Sequence, residues 1–329
     1  MRTIRWGIIG CGDVTEVKSG PGLQKAAHSS LAAVMRRNGE LARDYAQRHS
    51  VPRWYDNAEA LINDPEVDAV YIATPPAVHK AYTLLSAQAK KPVYVEKPMA
   101  LNFEECQIMI EACRAPAVPL FVAYYRRALP RFLKVKELID AQSIGEVRFI
   151  NVTLYRPPAP EDLNPLTLPW RVIPEMAGGG HFIDLASHML DFLDYVFGPI
   201  RSVQGFATNQ AHRYPAEDIV TGTFMFESGV HGVGAWCFTS FDRREVTEII
   251  GSEGTLTYAT FDGSQPIILT TRKGRFEFSY DDPPHIQQPL IQMVVDALNG
   301  VGICPSTGET AARTSWVMDQ MLGHAHKND

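Results

Sequence analysis

The chain has 329 residues, 45% hydrophobic and 21% charged, with 31 basic against 37 acidic side chains and a formal charge of −6. At ~100–200 residues per domain, that is material for about two ordinary globular domains, each able to bury a core without covalent staples. The acidic balance argues against nucleic acid or an anionic membrane as partner, and no apolar run approaches ~18 residues, so secretion and membrane spanning are disfavoured and a cytoplasmic location is expected.

The first 125 residues read as strand and helix in alternation. Short apolar runs at 4–10, 31–35, 69–74, 93–96 and 120–124 are separated by helical patterns, among them 40–48 and 103–115, the latter opened by Asn102 with Glu105 three residues on. Such runs predict buried parallel strands with crossover helices, a doubly wound Rossmann-type α/β domain over residues 1–123. After a predicted helix at 130–140 the character changes. Segments at 146–155, 203–208, 219–226, 230–241, 245–250, 255–260, 267–271 and 275–280 are strand-like and are split by Gly- or Asp-containing turns. They predict a large, mostly antiparallel meander sheet. With helical patterns at 181–196, 292–299 and 310–322, and a proline-rich loop at 155–169, residues 124–329 read as one α+β domain. Five cysteines, Cys11, Cys106, Cys113, Cys237 and Cys304, are odd in number and lack C-x-x-C spacing. A disulfide framework or zinc knuckle is therefore not expected, and a reducing compartment is.

Gly10-Cys11-Gly12-Asp13-Val14 follows a strand and precedes a helix, the setting in which one glycine makes the tight turn and another lets a pyrophosphate approach the backbone at a helix N-terminus. Thr15 replaces the third small residue of such turns. A turn in an unliganded α/β protein is the plain alternative. After the second strand come Met35-Arg36-Arg37-Asn38, with no carboxylate for ribose hydroxyls and two guanidinium groups suited to a 2′-phosphate. NADP(H) is thus the preferred cofactor and NAD(H) possible, against the alternative of two solvated arginines.

Glu96-Lys97-Pro98 ends another strand at the edge where α/β proteins bind ligands, and a partly desolvated lysine there can polarise an oxygen or exchange a proton. A cis bond before Pro98 is an expectation of this turn. Past Trp170-Arg171 and Gly178-Gly179-Gly180, the residues His181, Asp184, His188 and Asp191 fall on one stripe of a helix, opposite Phe182, Ile183, Ala186 and Leu190. Four ionisable residues of these types suit an acid–base site. A metal site through His181, Asp184 and His188, or a satisfied polar face, are the competing readings.

Taken together, the Gly10–Gly12 turn, Thr74-Pro75-Pro76-x-x-His79, Glu96-Lys97-Pro98, Trp170-Arg171 and Gly178-Gly179-Gly180-x-x-x-Asp184-x-x-x-His188 resemble, in this order and over almost the whole chain, the glucose–fructose oxidoreductase / inositol dehydrogenase / rhizopine-catabolism (Gfo/Idh/MocA) family. The resemblance implies a Rossmann domain followed by an α+β domain whose open sheet makes a homodimer or homotetramer. It also implies reversible hydride transfer between a nicotinamide and a hydroxyl or carbonyl carbon of a sugar, polyol or related small molecule. By the same resemblance Lys97 touches the reacting oxygen, His188 exchanges the proton and Asp184 orients. Gly10 to Val14, Arg36, Arg37, Thr74, Pro75, Pro76, His79, Glu96, Lys97, Trp170 and Arg171 line the cofactor. Trp170-Arg171 without an acid after the second strand matches NADP-dependent members. Ala123 stands where many relatives carry Asn, and His181 occupies a variable position. Tyr124, Tyr125 and His181 are the further substrate-lining candidates. A non-catalytic NADP-binding sensor, and a glycosidase using nicotinamide transiently, are the rival functions on this scaffold.

Overall fold

The structure, a computed structural model, describes residues 1–323. The chain forms two compact units, Met1–Leu129 with Pro283–Ala312, and Pro130–Asp282 with the chain from Arg313. The expected second domain is therefore not one unbroken stretch from 124 onward.

The first unit is built on six strands, β1 (Ile4–Ile9), β2 (Ser29–Met35), β3 (Arg53–Tyr55), β4 (Ala69–Ile72), β5 (Val93–Val95) and β6 (Leu120–Val122), in the order β3-β2-β1-β4-β5-β6. All pairs are parallel. This is the doubly wound dinucleotide-binding order, whose direction of growth reverses between β1 and β4. β4 and β5 are buried along their whole length, which is why they read as unbroken apolar runs. β3 escapes that reading because it is an edge strand of three residues with Arg53 and Trp54 exposed. Asn102 caps the helix Phe103–Arg114 by accepting from the Glu105 amide at 2.9 Å.

The segment Pro283–Ala312 returns to this unit through nonlocal contacts that no periodicity encodes. The helix Gln288–Leu298 lays Ile291 against Gly22. Ser306 brackets β6, its carbonyl accepting from the Val122 amide at 3.1 Å and its hydroxyl donating to the Val122 carbonyl at 2.6 Å. Gln287, 1% exposed, donates to Glu96 Oε1 at 2.7 Å and accepts from the Tyr94 hydroxyl at 3.3 Å.

The second unit carries eight strands, β7 (Val147–Tyr155), β8 (Ile200–Thr208), β9 (Ile219–Phe226), β10 (His231–Cys237), β11 (Arg244–Gly251), β12 (Gly254–Tyr258), β13 (Ile267–Thr271) and β14 (Gly274–Phe278), in the order β14-β13-β12-β11-β7-β10-β9-β8. Every expected strand is present, but the sheet is not a simple meander. β7, first in sequence, lies between β11 and β10 and pairs with β10 in parallel. Turn chemistry encodes hairpins between neighbours; it says nothing of where a strand with long connections inserts. The helix His181–Phe197 packs through Phe182 on Trp236 (ring centroids 5.1 Å) and through Phe192 on Phe132 of the helix Pro130–Asp140 (4.9 Å). The helix Gly308–Leu322 ends in this unit, where Arg313 forks onto the buried Asp194 carboxylate at 2.8 and 2.6 Å. Among the described residues no helix is long and apolar enough to cross a membrane.

Glu96 Oε1 takes one of its two side-chain hydrogen bonds from Gln287. A Gln287→Leu variant is therefore expected to lose about 2 kcal/mol of unfolding free energy in urea titration, the cost of under-satisfying a buried charged acceptor. Tyr94→Phe, which deletes only the 3.3 Å contact, is expected to lose less than about 1 kcal/mol.

Candidate active site

In the first unit the ends of β1 and β4 form one edge. Gly10 turns the chain with φ +90°, and a Cβ there would stand 2.7 Å from Thr74 Cγ2 and 3.1 Å from the Ala73 carbonyl, so fold geometry alone demands glycine. Gly12 is different. Its backbone is extended (φ −133°, ψ −157°) and a Cβ would meet nothing closer than the Gly10 carbonyl at 4.0 Å. No described residue fills that space, which suits close approach by a pyrophosphate. The amides of Gly12 and Asp13 find no acceptor among the described residues, whereas those of Gly10 and Cys11 are taken by the Met35 carbonyl at 2.9 and 3.2 Å. Thr15, at the third small position, is fully buried; its hydroxyl donates to the Gly12 carbonyl at 2.7 Å and its own carbonyl accepts from Tyr45 at 2.8 Å. Cys11 is 1% exposed and burial pushes its thiol up to about 11, so it offers a bound nucleotide neither thiolate nor amide.

Arg36 and Arg37 are exposed at the end of β2, and neither guanidinium is in an ion pair with any described residue. Asn38 is engaged elsewhere, its side chain accepting from the Glu40 and Leu41 amides at 3.1 and 3.2 Å to cap the helix Gly39–Arg48. The next loops are tied together by His79, whose Nε2 lies 2.7 Å from the Thr74 carbonyl and whose Nδ1 lies 3.1 and 3.2 Å from those of Pro98 and Met99. With no exposed surface, and with burial lowering its pKa, His79 ties the Thr74-Pro75-Pro76 turn to the Pro98–Met99 backbone. The Lys97–Pro98 peptide is cis. Lys97 is half-buried, and its amide donates to Glu96 Oε2 at 3.2 Å. Glu96 itself is buried and accepts from Tyr71 at 2.5 Å, so it too braces the loop. Tyr124 and Tyr125 are 1% and 7% exposed and leave almost no surface for a substrate.

In the second unit the polar stripe of the helix His181–Phe197 is not a solvated face. His188 and Asp191 are 4% and 1% exposed, while His181 and Asp184 are half-buried. Arg171, from the single turn Trp170–Val172, stacks on the Trp170 ring at 4.5 Å and reaches Asp184 with Nε 3.5 Å from Oδ2. Arg171 thus belongs to the same constellation as Asp184. The rings of Phe261 and His188 meet in a T-shaped contact, with centroids 6.0 Å apart. Among the described residues no three His, Cys, Asp or Glu side chains cluster so as to hold a metal ion.

Residues 4–124 match the oxidoreductase family with an NAD-binding Rossmann fold, and residues 132–257 match the GFO/IDH/MocA C-terminal domain. The chain belongs to the Gfo/Idh/MocA oxidoreductase family. An oxidoreductase of Formosa agariphila is 38% identical over 321 residues, covering 97% of this chain and 98% of its own. The 1,5-anhydro-D-fructose reductase of Ensifer adhaerens is 27% identical over 311 residues, covering 93% and 91%. Levoglucosan dehydrogenase, solved with NADH and levoglucosan, superposes with a TM-score of 0.84 at 20% identity over 99% of this chain and 98% of its own, a likeness of fold. The protein is accordingly an oxidoreductase with a nicotinamide-nucleotide-binding domain.

In this Gfo/Idh/MocA chain three polar residues escape sequence reasoning. Gln287 lies in the returning segment and Asp162 in the proline-rich loop, where its Oδ2 lies 2.8 Å from His181 Nε2. The third is Glu217. The Gly180 amide donates to Glu217 Oε1 at 2.8 Å, and a Cβ on Gly179 or Gly180 would stand 3.2–3.3 Å from that carboxyl. The Gly-Gly-Gly entry is thus in part a seat for a carboxyl at the start of the helix. Burial is the main cause pushing Glu217 up to about 7, with Asp218 adding to it and the Gly180 amide opposing. The only signal in the sequence was the pairing of a glycine run with an isolated Glu-Asp, which specifies no contact.

A carboxyl raised from 4.5 to about 7 costs nothing while neutral, so its folding contribution is fully retained below pH 4.5 and is lost as pH rises through about 7. Glu217→Gln, which keeps an oxygen for the Gly180 amide, is expected to match the native Tm at pH 4, below the ordinary carboxyl range, and to exceed it at pH 8. Calorimetry checks this, with about 3 kcal/mol as the upper bound.

Proposed function

We propose that this oxidoreductase prefers NADP(H) and interconverts a hydroxyl and a carbonyl on a sugar, polyol or related small molecule. The observation that carries the reading is the shielded polar stripe His181–Asp184–His188, because an ordinary helix surface does not hold imidazoles and a carboxylate away from water. The preference for the 2′-phosphate rests on Arg36 and Arg37, which make no ion pair with any described residue and follow β2 with no acid next to them in sequence. NAD(H) is the weaker ligand in this reading.

The amides of Gly12 and Asp13 hold the pyrophosphate, Thr74, Pro75 and Pro76 line the nicotinamide side, and Arg36 with Arg37 hold the adenosine phosphate. When bound, the nicotinamide donates or accepts hydride at C4. The Lys97 ammonium lies against the reacting oxygen and stabilises the charge that builds there. His188 gives or takes the hydroxyl proton, and Asp184, held by Arg171, orients the substrate. We assign the working form to the cytoplasm and to a homodimer or homotetramer made through the sheet of the second unit, whose edge strand β8 carries Phe206 at 81% exposure.

Initial rates at the reduced-nicotinamide band, with both cofactors and a panel of aldoses and cyclic polyols, test the reading. Lys97→Ala is expected to lower kcat by about 10²–10⁴-fold while cofactor binding survives; near-normal turnover removes the assignment. Arg36→Ala with Arg37→Ala is expected to raise the KM for NADP(H) by roughly 10–100-fold and leave that for NAD(H) unchanged.

A further inference from the structure

The second unit holds a second imidazole with a carboxylate of its own. His181 opens the helix His181–Phe197, one turn before Asp184 and two before His188 on the same stripe. Its Nε2 lies 2.8 Å from Asp162 Oδ2, which also accepts the Ala159 amide at 3.2 Å. Asp162 is 1% exposed. An ionised carboxylate can only accept at that distance, so a proton sits on Nε2 and Nδ1 is left as the ring's second hydrogen-bonding atom. Tyr214 meets the ring edge-on at 5.7 Å and 87°, and Phe238 lies at 5.5 Å, so the imidazole is fixed on three sides. Nδ1 makes no hydrogen bond to any described residue and is not among the enclosed polar atoms, so it faces open space.

A structural role explains this poorly. The helix start is already served by Glu217 on the Gly180 amide. Sequestering a carboxylate costs several kcal/mol unless its partner repays it, and a histidine needed only for packing does not require one. The arrangement is that of an oriented hydrogen-bonding group, in which the carboxylate sets the ring's angle and the free nitrogen is presented on the reacting face.

We propose that His181 is a substrate-binding residue whose Nδ1 makes a hydrogen bond with a second hydroxyl of the substrate, with Asp162 as its positioning residue. The substrate class is then a polyhydroxylated sugar or cyclic polyol, not a simple secondary alcohol. This rests on the stripe of Asp184 and His188 being the reacting face.

The experiment compares the best substrate of the aldose and polyol panel with its monodeoxy analogues, in the native enzyme, His181→Phe and Asp162→Asn. In the native enzyme, one deoxy analogue is expected to lose roughly 10–100-fold in kcat/KM, the worth of one well-oriented hydrogen bond. His181→Phe should lose the same factor on the parent substrate through KM, with kcat within about 3-fold, and bring the parent-to-deoxy ratio close to 1. Asp162→Asn should move the ratio the same way by less, and being isosteric it keeps the test open where His181→Phe does not fold. A loss of general structure would lower parent and analogue together and leave their ratio untouched. An unchanged ratio in both variants, with normal turnover of the panel by the native enzyme, overturns the pair's role and leaves the oxidoreductase reading standing. Turnover of nothing in the panel with either cofactor overturns both.

Discussion

The first unit depends on one topological constraint. In the order β3-β2-β1-β4-β5-β6 the chain winds outward in opposite directions from β1 and β4. Crossovers leaving those two strands diverge, so their carboxyl ends are the one place on the edge that no connection covers. Gly10 and the Ala73-Thr74 turn meet there at near-contact distance, and the Ala73 amide is bound to the Ile9 carbonyl at 2.8 Å. The left-handed Gly10, the open side of Gly12 and the unused first-turn amides are consequences of building that edge. The same rule sets Glu96-Lys97 on the neighbouring edge, since the Glu96 amide continues the ladder from the Ile72 carbonyl at 2.8 Å.

Buried polar groups do the remaining positioning, and each is satisfied from far along the chain. Glu96 is held by Tyr71 and by Gln287, His181 by Asp162, and the Gly180 amide by Glu217. In a low-dielectric setting an unmatched polar atom is costly, so such pairs tolerate few alternative arrangements and fix loops that hydrophobic packing alone would leave loose. In the first unit they brace the loop bearing Lys97; in the second they fix the start of the helix bearing Asp184 and His188. Burial of Glu217 ties the second of these to pH in the neutral range.

His79 and Tyr124 are motif residues that the fold encloses. Both occur where the family resemblance puts cofactor- or substrate-lining groups, yet both are enclosed, at 0% and 1% exposure. His79 acts on the site through three carbonyl oxygens of the two loops it joins. Arg171, read as cofactor-lining, reaches Asp184 of the helix His181–Phe197.

The amino-acid sequence alone determined whatever depends on near neighbours. Apolar runs marked five of the six parallel strands, strand-like segments split by Gly- or Asp-containing turns marked all eight strands of the other sheet, Asn102 announced its helix, and glycine spacing marked the nucleotide turn. These are local because strand burial, capping and turn conformation are decided within a few residues. Tertiary structure alone decided where β7 inserts, that Pro283–Ala312 returns to the first sheet, and that Asp162, Glu217 and Gln287 each complete a polar group lying 19 to 191 positions away. Partners at that separation leave no periodicity, because what selects them is the free-energy cost of leaving a buried charge or amide unmatched, and that cost exists only once the chain has closed around it.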